Sequence, residues 1–238
     1  KFAGLPGTLF FLIAGLPMSV VLFLYNSEFS SPAKAEVSTS EATRTAHVIP
    51  SPGGNVRWHA MSFLILAVSL RSWAHMGLIT FVPFYYIQIL KGDPVAAGTL
   101  VFVFLAGGVL GTLIGAMIAD KIGHKYYFLL SMILSAPLLF LFLAASGPWA
   151  PFLLFLIGFT LISSFSVTIV MGQRILPDRL GMASGIMTGL VIGIGGVGAG
   201  LLGLVADRWG VLTVLQLIAY MPAIGSIPIF MISYPSVK

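Results

Sequence analysis

Long apolar runs separated by short polar segments dominate the chain. Seven such runs occur, at residues 5–25, 59–90, 95–119, 126–145, 149–172, 181–206 and 211–233. A helix needs about 20 predominantly apolar residues to cross the ~30 Å hydrocarbon core of a bilayer. The pattern therefore predicts an all-α integral membrane protein with seven transmembrane helices.

The composition favours the same class. Charged residues make up only 8% of the 238 residues, and 58% are hydrophobic. A soluble domain carries about 25% charged residues, so this chain has too few charges to solvate the surface of a globule. We therefore expect the lipid bilayer to be its solvent.

The basic residues fall mainly on one side of the predicted helices. If the segment 26–57 is cytoplasmic and each helix crosses in turn, most Lys and Arg residues lie on the cytoplasmic side, with Arg71 inside a helix. This asymmetry is the positive-inside signature. The net charge of +5 is thus a topology signal and does not indicate a nucleic-acid partner. We predict a multi-pass protein of the plasma (inner) membrane.

The segment 26–57 interrupts the apolar pattern. It is rich in Ser, Thr, Pro and Ala and shows no apolar period. Such a segment cannot bury enough surface to offset its ordering entropy, so we predict a flexible cytoplasmic linker between a helix at 1–25 and a six-helix bundle at 58–238. The first run also resembles a signal peptide, although signal-peptide apolar regions typically have about 7–15 residues.

A repeat relates two groups of three helices, 59–145 and 149–233. The sequence Ala-Asp-base-x-Gly ends the second helix of each group, at Gly123 and at Gly210. An odd number of helices per group makes the two copies cross the membrane in opposite senses, and inverted three-helix repeats are a building plan of secondary transporters. Alternatively, the two helices are not related by a repeat and only have similar C-terminal residues, since Gly is a common helix C-cap.

Glycine recurs at four-residue spacing in the predicted helix at 181–206, at Gly181, Gly185, Gly189 and Gly193. Helices in lipid pack through close backbone approach over small residues. We therefore predict a helix-packing face at these positions. The face can be static, or the helix can bend and slide along it.

Polar residues inside the predicted helices indicate a solute site. Arg71 lies near mid-bilayer, where a charge costs at least about 2.5–3.5 kcal/mol on insertion scales. No acid lies inside a predicted helix, so its counter-charge is an anionic solute or an acid elsewhere. We predict that Arg71, His75, Ser163 and Ser166 line the solute cavity. The alternatives are an Arg bonded to helix-end carbonyls, a neutral His and hydroxyls that bond their own backbone.

The turn at Asp120, Lys121, Gly123 and Lys125 is the most specific local motif. The predicted helix near Gly181 begins on the same side, and a helix N-terminus carries partial positive charge. We predict that Asp120 docks there as a gating latch. The alternative is a solvated turn that follows the positive-inside rule.

The stretch from Gly115 to Lys125 resembles the loop motif of the major facilitator superfamily, with Ala116 and His124 as departures. Residues 173–207 resemble its fosmidomycin-resistance branch, and the resemblance spans about 58–233. It implies the six-helix C-terminal bundle of that fold plus the preceding helix, and alternating-access transport. It also implies proton-coupled efflux of a small drug-like or anionic solute, with a missing N-terminal half or a second copy as partner.

Two other classes of membrane protein fit the sequence less well than a transporter does. A seven-helix receptor or light sensor of the retinal type needs a lysine in its last helix, and 211–233 contains none. An intramembrane enzyme needs paired acids, a His cluster or a Ser/His pair at membrane depth, and only His75 lies deep. We therefore expect a transporter without catalytic activity, metal or cofactor.

Overall fold

The computed structural model describes residues 54–145 and 149–232. The predicted helix at 1–25 and all but the end of the predicted linker at 26–57 lie outside the described residues. The described part contains six helices long and apolar enough to cross a membrane. They are α1 Gly54–Gln88, α2 Pro94–Ile122, α3 His124–Ala144, α4 Trp149–Ile175, α5 Pro177–Trp209 and α6 Val211–Met231. Helix α1 thus begins inside the predicted linker.

Two glycines make the tight turns that follow α2 and α5. Gly123 has φ +95° and Gly210 has φ +86°, a region that side chains other than glycine rarely adopt. The N–H of Gly123 donates to the carbonyl of Ala119 at 2.9 Å, and that of Gly210 to the carbonyl of Ala206 at 2.8 Å. The two Ala-Asp-base-x-Gly segments therefore end their helices with the same geometry.

Helix directions follow from which residues meet. Gly107 and Gly111 of α2 lie against the backbones of Phe155 and Phe159 of α4, so residue numbers rise together and these helices are parallel. Helices α1 and α5 are parallel by the same criterion, because Ser72 meets Gly195 and Trp73 meets Gly198.

The remaining contacts fix the relation between the two groups. Helix α3 is antiparallel to α4, and α6 is antiparallel to both α1 and α3. It follows that α2 and α5, which carry Asp120 and Asp207, cross the bundle in opposite senses. The second helix of each group also packs against the first helix of the other group, as expected for inverted repeats.

Helix α5 is less regular than its apolar pattern predicts. It starts with a 3-10 turn at Pro177–Arg179, continues as α-helix over Leu180–Gly185, passes through a π turn at Ile186–Leu190, and resumes as α-helix over Val191–Trp209. A π turn interrupts the regular hydrogen-bond ladder of a helix and is often found at functional positions.

The predicted packing face of α5 contacts nothing in the described part of the chain. A Cβ placed on Gly181, Gly185, Gly189 or Gly193 would have no atom within 4 Å. The glycines that pack α5 against α1 are instead Gly195 and Gly198, on the other side of the helix. The four-residue spacing identified a small-residue stripe, but spacing alone cannot show which face of a helix meets its neighbour.

Candidate functional site

A polar layer separates two apolar clusters in the bundle. One cluster includes Leu78, Phe104 and Leu161, and the other includes Val68 and Val167. Between them on α1 lies Arg71, midway between the helix ends Gly54 and Gln88. On α4 the same interval, between Leu161 and Val167, holds several hydroxyl groups.

The guanidinium of Arg71 is buried but poorly paired. Arg71 is 2% exposed. Its Nη1 donates to the carbonyl of Leu161 at 3.5 Å, and its Cζ lies 5.5 Å from the ring centroid of Phe165. Its Nε has no partner. A 3.5 Å hydrogen bond is weak, so α4 satisfies only a small part of a group with five N–H donors.

No carboxylate in the described part of the chain neutralises this charge. Its four acidic residues all lie at helix ends: Asp93, Asp120, Asp178 and Asp207. Arg71 is therefore enclosed by protein, and none of the described acids lies beside it.

His75 lies one helical turn beyond Arg71. Its ring centroid is 5.8 Å from that of Phe104 on α2, and its Nε2 is buried without a partner. The imidazole and the guanidinium therefore occupy one face of α1, as their four-residue spacing predicts.

The two serines predicted to line the cavity differ in the structure. Ser163 is fully buried; its Oγ donates to the carbonyl of Thr160 at 2.8 Å and accepts from the hydroxyl of Tyr127 at 2.8 Å. This serine joins α3 to α4 and has no remaining donor for a solute. Ser166 is half-buried, and its Oγ has no partner.

The unpartnered buried polar atoms of the described residues concentrate at one level. They are Ser69 Oγ, Arg71 Nε, Trp73 Nε1, His75 Nε2 and Ser166 Oγ. Buried polar groups in native proteins are nearly always hydrogen-bonded, and a membrane interior supplies no water to replace a missing partner. Four of the five residues lie within a seven-residue stretch of α1 and the fifth lies on α4. Of these, Arg71 and His75 share one face of α1 and mark the candidate binding site.

Ser69 and Trp73 were missed by the sequence reasoning. The indole of Trp73 packs against Gly198 of α5, on the side of α1 away from Arg71. The sequence signal that could have identified them is a tryptophan and a serine one turn apart near the middle of an apolar helix. The orientation of Trp73 toward α5 depends on packing that the sequence of α1 does not contain.

The predicted latch residues occupy the end of the bundle where α2 meets α3. The Asp120 side chain is 73% exposed, and its Oδ1 lies 3.5 Å from His124 Nε2. Lys121 is exposed in the last turn of α2, and Gly123 forms the turn. The described contact of the Asp120 side chain is the one with His124, and its docking at a helix N-terminus stays a prediction.

Lys125 has a role that the motif did not predict. Its Nζ donates to the carbonyl of Ile232 at 2.6 Å and to that of Phe230 at 3.5 Å. A cation at a helix C-terminus pairs with unsatisfied carbonyls and with the negative end of the helix dipole. Lys125 therefore ties the start of α3 to the end of α6.

A side-chain hydrogen bond also joins α4 to α5 at this end. Gln173 Nε2 donates to Ser184 Oγ at 2.8 Å, and Ser184 lies two positions before the π turn of α5. As to metals, the described residues contain no group of three or more His, Cys, Asp or Glu that could hold an ion.

Comparison with known proteins agrees with this architecture. The chain is 33% identical over 221 residues to the fosmidomycin resistance protein of Escherichia coli (strain K12), an alignment covering 93% of this chain and 53% of that protein. It is 37% identical over 145 residues to the uncharacterized MFS-type transporter YfnC of Bacillus subtilis (strain 168), covering 61% of this chain and 36% of that protein. The chain thus spans about half the length of the first relative and about a third of the second.

The family assignment rests on a match to a family profile that covers most of the chain. Residues 4–198 match the family profile of the Major Facilitator Superfamily. That match includes α1 to α4, with the polar layer around Arg71, and the first part of α5. Together with the six apolar helices, it shows that this multi-pass membrane chain belongs to the major facilitator superfamily.

Proposed function

We propose that this chain forms one bundle of a secondary transporter that moves a small anionic solute by alternating access. The observation that carries the proposal is Arg71, a guanidinium at the midpoint of α1 with one weak hydrogen bond and no described carboxylate partner. A charge at that depth is costly unless it faces a cavity or a partner. An anionic solute supplies the missing counter-charge. His75 offers a hydrogen-bonding group on the same face of α1, and Ser166 of α4 has a hydroxyl without a partner.

The direction and the energy source are proposed from the relatives. One of them is named for resistance to fosmidomycin, which favours efflux of a drug-like solute over uptake. Coupling to protons is part of the proposal. The receptor alternative gains no support from the fold. A buried charge without a described partner fits a site that binds a solute transiently during transport.

A second bundle is part of the proposal, because this chain spans about half of its longer relative. That bundle comes from a longer protein or from a second copy. The glycine stripe of α5, which contacts nothing described, is the proposed packing face, and exposed Asp120 is available to a helix N-terminus of the other bundle.

The proposed orientation places the Asp120 end of the bundle in the cytoplasm of a plasma (inner) membrane. Lys121, Lys125, Arg174 and Arg179 lie at that end, whereas the opposite end holds Lys91 and Arg208. The excess of basic residues follows the positive-inside rule. Linker 26–57 would then be cytoplasmic.

Transport by variants of the full-length protein tests the proposal. Export of anionic solutes in inverted membrane vesicles should fall at least about tenfold in Arg71→Ala. It should fall less in Arg71→Lys, which keeps the charge but loses the planar fork of donors. Thr80→Ala is the matched control, because Thr80 lies on the exposed side of α1 and bonds its own helix. Equal export by wild type and Arg71→Ala would remove Arg71 from the site.

A further inference from the structure

Helix α4 places two groups against the guanidinium of Arg71. Its Nη1 lies 3.5 Å from the carbonyl oxygen of Leu161, and its Cζ lies over the ring of Phe165, 5.5 Å from the centroid. Leu161 and Phe165 are four residues apart in a continuous α-helix, so they occupy the same face of α4. The carbonyl and the ring therefore form one contact surface for the Arg71 side chain.

The carbonyl of Leu161 holds the guanidinium only loosely. This carbonyl also accepts a hydrogen bond from Ser164 Oγ at 3.0 Å, which is shorter than its 3.5 Å contact with Arg71. A hydrogen bond as long as 3.5 Å is weak. An oxygen of a bound solute can therefore replace the carbonyl as the acceptor for Nη1 at little cost.

The ring of Phe165 attracts the guanidinium in a different way. The face of an aromatic ring carries the negative part of its quadrupole and attracts a cation within about 6 Å of the centroid. The attraction is stronger where water is excluded, and Arg71 is only 2% exposed. Because the ring offers no lone pair, it does not compete with an oxyanion for conventional hydrogen bonds from the five N–H donors.

The main chain of α4 fixes the place of Phe165. Its helix neighbours Ser164 and Thr168 are fully buried, and Thr168 Oγ1 donates to the carbonyl of Phe165 at 2.8 Å. The side chain of Phe165 is itself half-buried. A ring attached to this packed backbone gives the flexible side chain of Arg71 a fixed surface to rest on.

We propose that Phe165 is a positioning residue, whose ring holds the guanidinium of Arg71 in the orientation that receives an anionic solute. The inference rests on the proposed function and adds a residue to its site. The ring favours one rotamer of a long side chain and so raises the fraction of protein that is ready to bind. When that fraction falls, the apparent affinity falls by the same factor. Phe165 acts through Arg71 and does not itself bind the solute.

Binding of radiolabelled methylphosphonate to the purified full-length protein tests this inference. One variant is Phe165→Leu, and a second carries a ring-fluorinated phenylalanine at the same position, which keeps the shape of the ring but withdraws electron density from its face. We expect both changes to raise the Kd at least about threefold. Phe152→Leu is the matched control, because Phe152 lies on the same helix, is exposed and contacts Trp149. Its Kd should equal that of wild type.

The same two changes in an Arg71→Gln background show whether Phe165 acts through Arg71. There we expect no further rise in the Kd, because the cation that the ring attracts is gone. An equal rise in that background would mean that the ring contacts the solute directly, and would overturn the inference. An unchanged Kd with the fluorinated ring would also overturn it, because Phe165 would then contribute only apolar packing.

Arg71→Gln alone separates these results from failure of the proposed function. If its Kd equals that of wild type, the Arg71 site itself is wrong. If binding needs Arg71 but is insensitive to fluorination of the ring, only the role of Phe165 is removed.

Discussion

At the scale of single residues, burial of the Arg71 charge lowers the stability of the fold, and the same charge is proposed to bind the solute. Its position near mid-bilayer could be predicted from the sequence, because helix length and the ~1.5 Å rise per residue give depth. The residues that surround its side chain could not be predicted. Leu161 and Phe165 lie on another helix about ninety residues along the chain, and only the packed structure shows how incompletely they satisfy the guanidinium.

The poor pairing of Arg71 predicts that its removal stabilises the solute-free protein. Replacing a buried, uncompensated charge with an apolar side chain of similar length removes a desolvation cost. We expect Arg71→Met to raise the free energy of unfolding by about 1 kcal/mol or more. Thermal unfolding in detergent without solute would measure this, with Thr80→Ala as control. A clear loss of stability in Arg71→Met would indicate that Arg71 serves the fold instead of a solute.

Ser163 and Ser166 show why side-chain roles are hard to assign from sequence. Both lie in the same polar stretch of α4, and three residues separate them. Ser163 faces α3, where Tyr127 takes up its acceptor capacity, whereas Ser166 keeps a free hydroxyl. The difference depends on the rotation of α4 relative to α3, which the residues of α4 alone do not determine.

At the scale of elements, the two seams between the repeats are built differently. In the α2–α4 seam, Gly107, Gly111 and Gly158 bring backbone directly against backbone. In the α1–α5 seam, Gly195 and Gly198 meet the side chains of α1. Close backbone contact in lipid supplies van der Waals packing over a long surface, so we expect α2–α4 to be the more rigid pair.

A glycine comparison within α2 tests the seam. A Cβ on Gly107 would clash with the carbonyl of Phe155, whereas Gly98 has no atom within 4 Å of that position. Overpacking of this kind typically costs about 1–3 kcal/mol. Gly107→Ala should therefore lower the unfolding temperature of the purified protein. Gly98→Ala should leave it unchanged or raise it slightly, because Ala favours a helix over Gly. Equal effects of the two substitutions would contradict the backbone contact.

The sequence predicted the helices and their stops better than their faces. Gly123 and Gly210 could be identified as turn residues, because a repeated Ala-Asp-base-x-Gly segment demands the same cap twice. The π turn at Ile186–Leu190 and the open glycine face of α5 could not be predicted. Both depend on which neighbour α5 meets, and a one-dimensional spacing pattern contains no such information.

At the scale of the whole bundle, Arg71 lies between two apolar clusters. Helices α2 and α5 cross the bundle in opposite senses, as inverted repeats require. In the described bundle the polar layer is buried, with Arg71 only 2% exposed. In the proposed transporter the second bundle completes the cavity, and rocking of the two bundles exposes the layer to each side in turn.

Single cysteines test the predicted orientation, since the chain has no native cysteine. Lys121 and Arg208 are exposed at opposite ends of the bundle. In intact cells, a membrane-impermeant maleimide should label Arg208→Cys at once and Lys121→Cys only after permeabilisation. Labelling of both positions from the same side would contradict the antiparallel arrangement of α2 and α5, and the reverse pattern would invert the proposed topology.

The most direct test of the central claim is equilibrium binding of a radiolabelled alkylphosphonate to the purified full-length protein. If the solute is the counter-charge of Arg71, the Kd should rise at least about tenfold in Arg71→Gln, equivalent to about 1.4 kcal/mol, and Thr80→Ala should bind as wild type does. An unchanged Kd in Arg71→Gln would contradict the claim that this buried guanidinium holds the solute.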